Sequence, residues 1–324
     1  MPTTFKHNLN HMYRNSLVFV RILLLAALFS CQERDKSGKV VDTPTTGSIR
    51  IMVDECYKPV ITSAIDVFDS IYSRASIDAQ YNSEGEAFAA LFRDSVQVII
   101  AARQPSDTEI ETYFKPRGFR PTTTPIAFDA VAFIVHPENK DTVFSIDQLR
   151  NILNGKTAKW RDFNPKSPLG DILLVFDNPL SGTVRYAKDT IAGGAPLPSN
   201  ASALKTNQEV IEYVARNKNA IGIIGANWIS DTDDKGVQAF RREIRIADIA
   251  REAGAEGYGP YQAYLATGQY PFRRTIYVIN AQARKGLGLG LASFLASDPG
   301  QRMMLKDGLL PAQAPTRLIQ VTRK

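Results

Sequence analysis

Three junctions in this 324-residue sequence set short polar side chains and unpaired amides where a helix should begin. At Ser181-Gly182-Thr183 two hydroxyls flank a glycine, which lets a ligand approach the main chain closely. Asp54-Glu55-Cys56-Tyr57-Lys58-Pro59 places Pro59 where it suits a first helical turn. Asn82-Ser83-Glu84-Gly85-Glu86 has the Ser-x-x-Glu spacing of a capping box. The first amides of a helix lack intrahelical acceptors and carry the positive end of its dipole, so converging junctions of this kind hold a small oxyanion without metal. Each junction taken alone is also an ordinary structural cap.

Other chemistries find fewer supporting residues. Cys31 and Cys56 are the two cysteines, and beyond the N-terminal leader the one histidine is His136. That count argues against Cys–His and Ser–His catalysis and against clustered His/Cys metal sites. A hydrolase using Ser181 or Thr183 as nucleophile lacks a general base with motif support. The expectation is a protein that is not an enzyme and has no cofactor or metal. The formal charge is +6, but Lys6, Arg14 and Arg21 fall in the leader, and no basic cluster is interleaved with aromatics, so nucleic acid is not an expected partner. Gly286-Leu287-Gly288-Leu289-Gly290 lacks the following Lys-Ser/Thr of a phosphate loop and reads as a helix start. Tyr258, Tyr261, Tyr264 and Tyr270 read as packing residues.

The elements that must carry the junctions follow a basic, apolar leader. Arg14 and Arg21 precede the run 22–29, too short to span a bilayer comfortably, and Ser30 precedes Cys31. Residues 1–30 therefore read as a signal peptide, starting at Met1 or Met12, and Leu28-Phe29-Ser30-Cys31 resembles a bacterial lipobox. Cys31 would carry lipid, 31–47 would tether the protein to a membrane, and the location would be periplasm or cell surface. With Cys31 acylated, Cys56 has no disulfide partner. From Ser48 strands and helices alternate, and Val96-Gln97-Val98-Ile99-Ile100 and Ile221-Gly222-Ile223-Ile224-Gly225 read as strands buried on both faces. This pattern predicts an α/β fold with largely parallel sheets, ending in one helix over 288–305. Strands near 126–135 and 274–279 are candidate crossings between two lobes, 48–127 with 271–324 and 128–270.

Several segments, in order, resemble the phosphate-binding proteins of ABC transporters, the PstS-like family. They are Leu153-Asn154-Gly155-Lys156-Thr157-Ala158-Lys159-Trp160, Asn178-Pro179-Leu180-Ser181-Gly182-Thr183, Asn219-Ala220-Ile221-Gly222, Tyr270-Pro271-Phe272 with Arg274 to Val278, and Ser297-Asp298-Pro299-Gly300-Gln301. The resemblance runs over about 48–311 and implies a bilobal periplasmic-binding-protein type II fold. It also implies capture of phosphate or a similar oxyanion for an ABC permease, by a protein expected to be monomeric.

Cys56, Ser83, Ser181, Gly182 and Thr183 are the ligand residues expected from that pattern, with Glu55 beside them. Three places depart from it. Glu55 or Asp54 stands in the first loop where relatives carry Thr or Ser. Arg103 stands near where relatives carry an Asp, and Asp177 stands where they carry an Arg. The departures suggest that cation and carboxylate have exchanged lobes, or that the two residues form an ion pair across them. Arg185 is a second cationic candidate, and Glu55 and Glu84 leave open a phosphorylated or other small molecule. A surface or sensing lipoprotein using the same fold is the remaining alternative.

Overall fold

The computed structural model describes residues 42–315, so the expected signal peptide, Cys31 and most of the expected tether lie outside the described residues. In chain order the strands are β1 (Gly47–Asp54), β2 (Ala75–Asn82), β3 (Val98–Ala101), β4 (Thr122–Val135) and β5 (Val143–Ser145). They continue with β6 (Leu173–Phe176), β7 (Ser202–Ala203), β8 (Ala220–Gly225) and β9 (Arg245–Ile246). The last are β10 (Asp248–Ala250), β11 (Gly257–Tyr258), β12 (Arg273–Asn280) and β13 (Leu310–Pro311).

The main sheet path runs β2-β1-β3-β12-β4-β8-β6-β7. At its two ends the pairs β1–β2, β1–β3, β6–β8 and β6–β7 are parallel, and at its centre β12 runs antiparallel to both β3 and β4. The local causes were visible in the residues. Every residue of β3 and of β8 is buried, as their unbroken apolar character requires. In β1 the later apolar residues Ile51 and Val53 are fully buried, while Arg50 faces out and meets Asp78.

Three buried apolar clusters result among the described residues. The buried residues of one all lie within 130–272 and include Trp160, whose ring packs against Phe144 and Phe163 and whose Nε1 donates to the Asn219 carbonyl at 3.0 Å. The second draws on residues before 128 and after 275, including Phe68 packed edge-on against Phe294. The third, with Phe88, Leu91 and Phe114, also draws on Ile279 and Ala281. β4 serves both lobes: its first part pairs with β12 and its last five residues pair with β8. The two predicted crossings are thus neighbouring antiparallel strands.

One expected element is corrected. The terminal segment is two helices, Leu287–Ala296 and Asp298–Lys306, parted at Ser297. Pro299 explains the break, because a proline inside one continuous helix would clash with the carbonyl four residues earlier, that of Leu295.

Candidate functional site

Where the lobes meet, the three junctions come together, though each is already engaged. β1 ends at Asp54, whose Oδ1 accepts from the Cys56 amide at 3.2 Å and caps a single turn, Glu55–Tyr57. The helix Lys58–Ile71 follows, with Pro59 in its first turn as expected. Ser83 closes the predicted capping box on the helix Glu84–Phe92. Its Oγ accepts from the Glu86 amide at 3.3 Å and donates to Glu86 Oε2 at 2.8 Å. The Ser83 hydroxyl is therefore spent on the cap, which is the structural role the spacing also allowed.

Ser181 caps the helix Gly182–Tyr186, accepting from the Val184 amide at 3.1 Å and donating to Asp177 Oδ1. The Gly182 amide does not face solvent. It donates to Asp54 Oδ2 at 3.1 Å, a contact between lobes. Thr183 Oγ1 lies 3.2 Å from Cys56 Sγ and accepts from Arg274 Nη1 at 3.2 Å. Asn207 reaches both lobes, its Nδ2 donating to Glu55 Oε2 at 2.9 Å and to Asp177 Oδ2 at 3.0 Å. The Cys56 carbonyl accepts from Asn227 Nδ2 at 2.8 Å and from Trp228 Nε1 at 2.9 Å. A main-chain bond from the Gly85 amide to the Leu180 carbonyl, 2.9 Å, also joins the lobes.

Arg103 and Asp177, the pair expected either to have exchanged charge roles or to bridge the lobes, lie with other partners. Arg103 is held by both oxygens of Glu109, at 2.7 and 2.9 Å, and lies 3.5 Å over the Phe88 ring. Asp177 bonds to Ser181 and Asn207 instead, so the two do not pair with each other. Glu109 wins Arg103 because it stands six residues along the same segment and offers a bidentate carboxylate. Arg185 is brought to the junction, bonded through Nε to Glu84 Oε1, while Glu84 Oε2 accepts from the Ala102 amide at 2.9 Å.

The residue that sequence reasoning left as a motif letter is Arg274 on β12. It sits opposite Asp129 of β4 and donates to Asp129 Oδ2 through Nε and Nη2, at 3.1 and 2.8 Å. Nη2 also lies 2.8 Å from Cys56 Sγ, and the guanidinium carbon is 5.1 Å from the Tyr57 ring centroid. Gly225 leaves room for this cluster: a Cβ there would meet Cys56 Sγ at 2.3 Å and Arg274 Nη2 at 3.0 Å. A signal did exist. An aspartate inside the apolar run 126–135 and an arginine beginning another such run need one another when buried.

Carboxylates outnumber cations here. Asp54, Glu55, Glu84, Asp129 and Asp177 face Arg185 and Arg274. Burial, with Glu84 adding repulsion and Arg274 opposing both, pushes the Asp54 carboxyl well above its ordinary value. Burial likewise lifts Asp177 to about 7 against its hydrogen bond from Ser181, and raises Glu55 and Asp129. Burial works against the charge of Arg274, but the thiol, phenol and carboxylates around it push its pKa well up, so it stays charged. Among the described residues no group of three or more His, Cys, Asp and Glu is arranged to hold a metal ion. No helix among them is long and apolar enough to cross a membrane.

Residues 40–299 match a family model described as PBP superfamily domain. The phosphate-binding protein PstS of Pseudomonas aeruginosa is 23% identical over 290 residues, covering 83% of this chain and 84% of that protein. The phosphate-binding protein PstS of Borreliella burgdorferi is 22% identical over 304 residues, covering 91% and 97%. Among solved structures, an ABC-type phosphate transport receptor from Vibrio cholerae superposes with a TM-score of 0.62. It is 16% identical and covers 82% of this chain and 100% of its own.

Proposed function

The chain belongs to the PBP superfamily, and from that premise we propose that it is an extracytoplasmic solute-binding protein capturing phosphate or a related oxyanion between its lobes for an ABC importer. One observation carries this reading. The buried amide of Gly182 in one lobe is held 3.1 Å from an acidic oxygen of the other, that of Asp54. The loop thus receives an oxyanion oxygen in the place where both lobes meet, and Arg185 and Arg274 stand beside it. The names of the relatives, phosphate-binding proteins in each case, support phosphate as the ligand. Lobe closure around the ligand is the mechanism, with no covalent step. Ser181 is a poor nucleophile in this setting, since its hydroxyl is buried and occupied by the cap and by Asp177.

The apolar run before Ser30-Cys31 supports a lipid anchor at Cys31, which would hold a monomer at the periplasmic or outer surface of a membrane beside its permease. Calorimetric titration with phosphate, sulfate and a phosphonate tests the ligand. Saturable phosphate binding is expected, weakened tenfold or more by Gly182→Ala, whose Cβ would fill the space beside the loop that any bound oxygen must occupy, 2.5 Å from where Asp54 Oδ2 lies. Phosphate affinity unchanged by Gly182→Ala and by Ser181→Ala would sink this reading.

A further inference from the structure

Resting on the capture reading for its ligand, we propose that Asp54 and Glu84 are specificity-determining residues that act as built-in ligands. Their carboxylates take the oxyanion's place at the Ser181–Thr183 loop and bind the lobes to each other, and phosphate enters only by displacing them.

Two carboxylates from separate elements of one lobe converge on one residue of the other, Gly182. A Cβ built on Gly182 lies 2.5 Å from Asp54 Oδ2 and 2.9 Å from Glu84 Oε2, so both oxygens crowd the same face of the loop. Neither is a surface residue that has swung in, since Asp54 is 0% and Glu84 2% exposed. Each is fixed at its other oxygen or by a second donor within its own lobe. Asp54 Oδ1 holds the Cys56 amide, and Glu84 Oε2 holds the Ala102 amide. The free ends point across the lobe boundary, Asp54 to the Gly182 amide and Glu84 to the Arg185 guanidinium. These are the kinds of donors an oxyanion seeks, an unpaired helix-start amide and a forked cation.

Charge makes the arrangement selective. Facing Asp54 from the packed elements are Glu84, Asp177, Arg274 and Cys56, and around the same junction stand Glu55, Asp129 and Arg185. A doubly charged phosphate brought to the loop while Asp54 and Glu84 remain would find the Gly182 amide and Arg185 already taken, and would meet the like charge of the Arg185-paired Glu84. Displacement of the two carboxylates, opening the Asp54–Gly182 and Glu84–Arg185 contacts, removes that repulsion and frees both donors. Solutes that cannot break those contacts are rejected.

Trp228 reports on the lobe boundary, because its Nε1 donates to the Cys56 carbonyl of the opposite lobe. Trp160, the other tryptophan, lies wholly within one core and serves as an unchanging background. The experiment follows tryptophan emission of the full chain in phosphate-free buffer, then titrates inorganic phosphate by calorimetry. It compares wild type with Asp54→Asn, which keeps an oxygen for the Cys56 amide, and Glu84→Gln. The variants are expected to emit further to the red without phosphate and to bind phosphate at least tenfold more tightly than wild type. Emission unchanged in both folded variants overturns the lock. Red-shifted variants that bind phosphate no tighter than a phosphate-binding wild type overturn the specificity role. Should one variant fail to fold by circular dichroism, the other decides alone. A red shift with no phosphate binding by any of the three chains sustains the lock and refutes phosphate as the solute.

Discussion

Replacing Arg274 by methionine would show how strongly the crossing strands hold the site. Arg274 and Asp129 stand opposite each other in the β12–β4 register, and their side chains are 1% and 0% exposed. Methionine keeps most of the hydrocarbon stem but removes both bonds to Asp129 and those to Thr183 and Cys56. The carboxylate keeps the Asn227 and Ala130 amides and loses its cation. Stranding a buried charge in this way costs about 3–5 kcal/mol. Asp129→Leu strands the guanidinium instead and is expected to cost a similar amount. The double variant Asp129→Leu/Arg274→Met strands neither charge, so it should be destabilised by about 2 kcal/mol less than the two single costs combined. Equilibrium unfolding in urea, extrapolated to zero denaturant, reads all four stabilities. Single costs that add to within about 0.5 kcal/mol, or an Arg274→Met cost below about 1 kcal/mol, would refute the reasoning.

Asp177 makes stability depend on pH. With its folded value raised from the ordinary 3.8 to about 7, the native state holds the proton more tightly. Its contribution is full below about pH 4 and is lost as pH rises to 7, about 4 kcal/mol in all. Asp177→Asn should flatten the fall by up to about 1.4 kcal/mol per pH unit, and urea midpoints at pH 5 and 7.5 that keep the wild-type difference would contradict this. Gly225→Ala pushes a methyl against Cys56 Sγ and Arg274 Nη2, so a loss of about 1–3 kcal/mol is expected by thermal or urea unfolding. Arg103→Ala should leave phosphate affinity within about twofold, because its guanidinium serves Glu109 and Phe88; stability should fall by only about 1 kcal/mol.

The architecture was legible because its signals are local. The buried strands β3 and β8 announce themselves as apolar runs, and the capping box at Ser83 and the Pro59 start are written in adjacent residues. The break at Ser297 has a local mark as well, Pro299 just beyond the glycine-rich apolar run. The site was harder, because its partners come from positions such as 54 and 182, or 129 and 274, whose meeting depends on lobe packing. Arg103 shows a related limit: the ordered motifs give its place in the chain, but its partner comes from the Ser106-x-x-Glu109 cap, whose carboxylate serves both the Ser106 amide and the guanidinium. The contacts that do cross between the lobes at this place run from Asp54 to the Gly182 amide and from Glu84 to Arg185.

β4 and β12 divide the chain unevenly in time as well as in space. The buried residues of one core all lie within 130–272, whereas the other two need residues from both sides of that stretch. A chain that emerges N-terminus first into the compartment where it folds therefore finishes its inner lobe before its outer one. Until β12 arrives, β3 presents an unpaired apolar edge, the kind of surface that seeks another strand. The first residues to appear are thus among the last to be covered, and chaperone dependence should concentrate on β1 to β3.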